Sequence, residues 1–241
     1  MLEAGLWGLL AASALVGGAA IGLVGAVPRR WVALAMAFGA GALISALAFD
    51  LTEDAFAHGG TLPVAGGLAA GALVFFTGDQ LLHKRGAARR GPRMAQVGSN
   101  GPAIVLGALL DGIPESVVLG TTLLAGAGVG VPFLAAVFIS NVPEAMSAAA
   151  DLRREGHRPG WIIRLWVGVA LVSGLAAALG YALLGEMGSS GVPLIQAFAA
   201  GAILTMLADT MIPEAFADGG DLTGLATVFG FATAFLLSTV S

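Results

Sequence analysis

Residues 40–60, AGALISALAFDLTEDAFAHGG, return without a gap as residues 200–220, AGAILTMLADTMIPEAFADGG. Ten of the 21 positions are identical: Ala40, Gly41, Ala42, Leu47, Ala48, Ala55, Phe56, Ala57, Gly59 and Gly60 match the residues 160 further on. Each copy is apolar for most of its length, gathers carboxylates near its end and closes on Gly-Gly. Such a stretch reads as a membrane-crossing helix followed by its stop signal. Whether the two copies cross in the same or opposite senses decides the fold, and that depends on the helices between them.

Composition sets the class. Of 241 residues, 57% are hydrophobic and 11% are charged, with a mean hydropathy of +0.91. Soluble domains are about 25% charged. An integral membrane protein is the reading. The 37 glycines fit closely packed helices, because small residues let backbones approach in lipid. Cysteine is absent, which excludes disulfides, thiolate metal sites and cysteine nucleophiles. The first apolar run, from about Gly5, is too long for a cleaved signal and reads as a mature helix.

Eight helices of membrane-spanning length are predicted at about 5–27, 32–56, 62–82, 99–125, 131–151, 161–184, 192–215 and 222–240. All eleven cations (Arg29, Arg30, Lys84, Arg85, Arg89, Arg90, Arg93, Arg153, Arg154, Arg158 and Arg164) fall in or beside the first, third and fifth connections. Positive charge stays in the cytoplasm. Both termini are therefore expected outside a plasma membrane, with loop 83–98 in the cytoplasm. The two copies lie on the second and seventh helices, an odd number of spans apart, so they cross in opposite senses. The expected fold is an all-α integral membrane protein with eight transmembrane helices in a 3+2+3 inverted-repeat arrangement. Residues 1–241 form a single transporter domain: repeat 1 at about 5–82, loop 83–98, a central pair at about 99–151, and repeat 2 at about 161–240.

The central pair carries the chemistry. It contains Asp111-Gly112-Ile113-Pro114-Glu115-Ser116 and Ser140-Asn141-Val142-Pro143-Glu144-Ala145. A carboxylate at membrane depth costs roughly 2.5–3.5 kcal/mol on insertion scales. Asp111 and Glu115 share one helix face by their spacing, and Ser140 or Asn141 pairs with Glu144 in the same way. Pro114 and Pro143 free the carbonyls of Leu110 and Ile139. Carboxylates so close need protons or a cation to compensate them. Carboxylate, carbonyl and hydroxyl oxygens suit a divalent ion such as Mg, Mn or Fe(II), and Zn also takes carboxylates. The competing structural reading keeps these acids protonated or hydrogen-bonded, with each Pro-Glu a packing kink. The metal set is thus Asp111, Glu115, Ser140, Asn141 and Glu144, with Asp50, Asp209 and Glu214 as pathway residues.

The layout resembles the ZIP family of divalent-metal (zinc/iron) permeases, in the form of a divergent prokaryotic member. That family has eight helices in 3+2+3, both termini outside and a cytoplasmic loop between helices 3 and 4. Its metal motifs are His-Asn-x-Pro-Glu-Gly on helix 4 and, in bacterial members, Gln-Asp-x-Pro-Glu on helix 5. Its helix-7 motif, Ser-His-Glu-x-Ile-Pro-Glu, is similar to Ala208-Asp209-Thr210-Met211-Ile212-Pro213-Glu214. Here the helix-4 His and Asn slots hold Asp111 and Gly112, and the helix-5 Gln and Asp slots hold Ser140 and Asn141, while Glu115 and Glu144 are kept. A helix-6 glutamate aligns with Ser173. The resemblance implies inward transport of a divalent cation (Zn, Fe or Mn) as substrate with no resident cofactor, and pairing as a homodimer. The missing imidazole predicts an ion harder than zinc, or one bound weakly and passed quickly.

Other functions remain open at this point. The same acids could relay protons for a carrier of another small solute, or the chain could be a non-transporting homologue acting as sensor or scaffold. An enzyme is disfavoured, because no HExxH, no Ser or Cys nucleophile motif and no Gly-x-Gly-x-x-Gly fingerprint occurs. The expected partners are the metal ion and the lipid bilayer, not nucleic acid. Trp7, Trp31, Trp161 and Trp166 are expected as interfacial anchors. Asp79 and His83 are expected to pair, and Met36, Met146, Met206 and Met211 to pack in the core, with thioether ligation of a soft metal as the alternative.

Overall fold

The computed structural model describes residues 1–25, 27–84, 101–123, 130–186 and 191–240, and all regular structure among them is helical. Helix α1 is Leu2–Val24. Helix α2, Arg29–Ala46, runs through a π-helical segment, Leu47–Thr52, into α3, Glu53–Gly59. Helices α4, Thr61–Lys84, α5, Gly101–Thr122, α6, Val131–Arg154, and α7, Pro159–Glu186, follow. Helix α8, Val192–Met206, runs through a second π-helical segment, Leu207–Met211, into α9, Ile212–Gly219. A 3₁₀ turn, Gly220–Leu222, leads into α10, Thr223–Ser238.

Six apolar runs among the described residues are long enough to cross a membrane: Leu2–Val24, Arg29–Gly59, Thr61–Leu81, Val131–Arg154, Pro159–Leu183 and the 47-residue run Val192–Ser238. The chain is a multi-pass, all-α membrane protein. Its outer surface agrees: Leu171, Leu175, Leu179 and Leu183 make an exposed leucine ridge at i, i+4 spacing along α7, the side of a helix that hydrocarbon covers.

Several sequence-predicted edges move. His83 and Lys84 belong to the last turn of α4 rather than to the loop, because no Gly or Pro interrupts the helix before Gly86. The rest of the loop predicted at 83–98, the pairing of His83 with Asp79, and most of the break predicted at 126–130 lie outside the described residues. Trp166 is a correction. It is fully buried at 0% exposure, among Ala12, Leu15, Ala145, Ala149 and Leu152. Helix α7 starts at Pro159, so Trp166 sits about two turns inside it, not at its end. Trp31 is 66% exposed at the start of α2.

Helix packing follows the repeat. Helix α4 lies along α8, and α10 lies along α2; α1 lies along α6, and α7 along α5. Glycines set the first two approaches. A Cβ placed on Gly71 would strike the Phe198 carbonyl oxygen, and one on Gly201 that of Leu68. On the other side, a Cβ on Gly230 would strike the Phe38 carbonyl, and one on Gly41 that of Thr227. Phe38 and Gly41 lie 160 positions before Phe198 and Gly201. The two π segments begin at Leu47 and Leu207, and the left-handed glycines that end α3 and α9 are Gly60 (φ 73°) and Gly220 (φ 65°). Only glycine adopts such a φ without strain. Each of these features also recurs at the 160-residue interval. The copies run antiparallel: the end of α3 packs on the start of α8, and Gly219 at the end of α9 packs on Ala33 and Leu34 near the start of α2.

Candidate functional site

Helices α5 and α6 run unbroken through Pro114 and Pro143. They carry their acids into the protein interior and onto a cavity wall. Asp111, Glu115, Ser140 and Asn141 are all buried. Glu115 is 3% exposed, and Glu144 and Asp111 are its electrostatic neighbours.

Two adjoining cavities run from this place. The inner one, about 40 Å³, is lined by Met36, Asp111, Glu144, Ser147, Met206 and Glu214, among others. That is space for about three water-sized groups. The outer neighbour, about 90 Å³, shares Met36, Ser147, Asp151 and Glu214 with it and adds Arg29, Arg154 and Asp218. Glu144, Ser147 and Asp151 stand at i, i+3 and i+7 on α6, so one helix face lines the whole path. At its far end Asp151 bonds the Arg154 guanidinium at 2.6 Å and lies 3.7 Å from that of Arg29. The path therefore joins the central carboxylates to the end of the molecule where the arginines gather.

Glu214 reaches this path from α9, where Ser147 Oγ donates a hydrogen bond to its Oε1 at 3.0 Å. Three sequence-predicted residues, Asp111, Glu144 and Glu214, thus share one cavity. Glu115 sits beside it in the protein interior. Ser140 and Asn141 are turned to neighbouring helices. Ser140 Oγ donates to the Val137 carbonyl at 2.9 Å, and the residue packs on Gly39 of α2. Asn141 Nδ2 donates to the Ala11 carbonyl of α1 at 3.4 Å. Asp209 is exposed on the second π segment, and Asp50 is half-buried on the first; neither lines these two cavities. Ser173, aligned with the family's helix-6 glutamate, is buried, with its Oγ facing Gly112.

Among the described residues no three His, Asp or Glu side chains are gathered tightly enough to cage a metal ion. The carboxylates are strung along the path instead. Sequence reading missed Ser147, Asp151 and Thr210 as lining residues, and it favoured packing over ligation of a soft metal for Met36, Met206 and Met211, which line the inner cavity. The i+3 and i+7 spacing from Glu144 was the available signal for the first two.

No family model matches the chain. Among curated proteins, it is 32% identical over 249 residues to the zinc transporter ZIPB of Bordetella bronchiseptica, covering 95% of this chain and 77% of that protein. The chain belongs to the ZIP family. It is also 27% identical over 217 residues to a putative zinc transporter of Arabidopsis thaliana, covering 82% of this chain but 33% of that much longer relative. The departures from the ZIP motifs at Asp111, Ser140 and Asn141 therefore lie within a family member, and two of the three residues concerned have turned from the path to pack against neighbouring helices.

Proposed function

We propose that the chain is a divalent-metal transporter that carries zinc toward the cytoplasm through the α5–α6 carboxylates. One observation carries this reading: Asp111 and Glu144, from the two Pro-Glu motifs, open on a cavity that continues past Glu214 and Asp151 to the arginine-bearing end. The cation distribution supports a cytoplasmic position for that end. Carboxylates strung along a path, rather than closed into a cage, suit an ion that must leave as readily as it enters.

Eight crossings in a 3+2+3 inverted repeat are part of the proposal. The run Val192–Ser238 would be about 70 Å long as one straight helix, against a hydrocarbon core of about 30 Å. Its turn at Gly220 divides it into two crossings of ordinary length. The recurrence of π segments, turn glycines and helix partners at one interval supports the repeat.

Zinc is favoured by the names of both relatives and by the methionines. Met36, Met206 and Met211 line the inner cavity, and thioether sulfur is a softer donor than the oxygens counted from the motifs. Purified protein in liposomes is expected to take up zinc in preference to manganese when the two compete. Equal or faster manganese uptake would restore the harder-ion expectation and remove zinc from the proposal.

Ser147 orients Glu214 on the path. Ser147→Ala is expected to raise KM for the metal about threefold, the modest effect of one half-buried hydrogen bond. Ser147→Thr keeps the donor and is expected to keep the KM. Uptake titrated against metal concentration reads both.

A further inference from the structure

The charge of the cavity wall changes along the path. Among the described residues, the inner cavity is lined by the carboxylates Asp111, Glu144, Asp151 and Glu214, and by no Lys, Arg or His. The outer cavity keeps Asp151 and Glu214, adds Asp218, and sets two arginines, Arg29 and Arg154, among them. Asp151 lines both cavities, so it stands where the two surroundings meet. Both guanidiniums are placed on the same atom of it: Arg154 Nη1 lies 2.6 Å and Arg29 Nη2 3.7 Å from Asp151 Oδ1.

Neither helix stability nor membrane orientation requires this arrangement. Arg154 is in the last turn of α6, where a cation suits the helix dipole, but Arg29 opens α2, where a cation opposes it. The Arg29 and Arg154 side chains are 54% and 51% exposed, and ion pairs so exposed contribute little to stability. A cytoplasmic position calls for positive charge at this end. Arg30 and Arg153 supply that charge without lining either cavity.

We infer that Arg29 and Arg154 are release residues: they compete with the metal ion for the Asp151 carboxylate, so that this acid passes the ion on instead of holding it. This deepens the transporter reading and rests on it. An ion leaving the unopposed carboxylates of the inner cavity meets in Asp151 an oxygen already engaged by two cations. Each guanidinium repels a divalent ion at that oxygen, and takes its place there when it leaves. Affinity therefore falls toward the mouth, as conduction requires: binding strong enough to admit an ion and weak enough to let it go. Without the arginines, Asp151 would join Glu214 and its electrostatic neighbour Asp218 as an unopposed acidic trap.

Zinc uptake into proteoliposomes tests this through kcat and KM together. Arg29→Gln with Arg154→Gln leaves Asp151 unopposed, and slow release is expected to lower kcat and KM about tenfold each, with kcat/KM unchanged. Arg154→Gln alone, which loses the nearer partner, is expected to lower both about threefold. Adding Asp151→Asn to the pair removes the trap and is expected to raise both constants again, toward those of the unsubstituted protein. Damage to the fold would lower kcat without lowering KM, and a third substitution would not repair it. A KM that stays level or rises when the arginines are removed overturns the inference, as does a triple variant no faster than the double. Unsubstituted protein that takes up no zinc would instead defeat the transporter reading. Equilibrium zinc binding in detergent tests the arginines even then: about tenfold tighter binding by the double variant is expected, and unchanged binding overturns their role.

Discussion

Zinc uptake by Glu144→Ala in proteoliposomes is expected to fall by about 10–100-fold, with insertion into the membrane unchanged. Residues that merely orient a metal's ligands are worth that much, and Glu144 lines the cavity itself, together with Glu214 and Asp111. The loss has two parts. The ion loses an anionic oxygen on its path, and the low-dielectric interior loses the charge that compensated the ion there. Glu144→Gln keeps the shape and a neutral oxygen, so its uptake is expected to fall nearly as far. Uptake within twofold of the unsubstituted protein in both variants would sink the α5–α6 path. The fold should survive, because a half-buried carboxylate is replaced by a smaller or neutral group on a helix that continues through Pro143.

The largest effect on stability is expected from Gly41→Val. A Cβ at Gly41 collides with the Thr227 carbonyl and approaches the Phe231 amide, and both are backbone atoms of α10. No rotamer change relieves such a clash; the helices must part, and the partnered approach at Gly230 and Phe38 parts with them. Overpacking of this kind costs about 3 kcal/mol. For a chain of this size that is a fall in Tm of ~10 °C. Gly17→Val is the control, since a Cβ at Gly17 meets no neighbouring atom within 4 Å. Thermal unfolding of the two variants in detergent separates the clash from the general effect of valine in a helix. Matching Tm values would mean that the α2–α10 contact is looser than the structure has it.

Much of the fold was legible because membrane helices announce themselves. Apolar runs of fixed length, broken by Gly-Gly or by arginines, put the helix ends within a few residues of their places, and the 40–60 and 200–220 copies led to the antiparallel pair. Trp166 was misread for a reason of phase: an aromatic near a predicted edge looks interfacial until the helix proves to start earlier. The site was legible in part. Asp111 and Glu144, which line the cavity, were singled out by the cost of placing a carboxylate in an apolar helix, and that cost is visible in sequence. Which way Ser140 and Asn141 turn was not, because adjacent positions on a helix differ by about 100° in direction, and packing against Gly39 and α1 decided between them. Methionine was ambiguous for a different reason: a thioether fits a dry core and a cavity wall equally well, and only the neighbours distinguish them. The hydrogen bond that Gln196 Nε2 of α8 donates to the Asp54 carboxylate of α3 at 3.1 Å joins residues 142 apart in sequence, and no local pattern in one chain encodes such a partner.

The π segments at Leu47–Thr52 and Leu207–Met211 have a consequence for how this protein tolerates insertion and loss of residues. A π turn accommodates an extra residue within an otherwise α-helical rod. Removing that residue from the first segment would let it relax to a continuous α-helix while the half beyond it kept its direction; the same deletion in the regular α-helix before it would turn that half by about 100°. Asp54 would keep its hydrogen bond from Gln196 after the first deletion and lose it after the second. A single-codon deletion would thus be tolerated inside the π segment and not a few residues away, although the composition of the chain would be the same in both cases. Each repeat keeps one spare residue where its loss does not re-aim the second half, and the copies keep it at the same place.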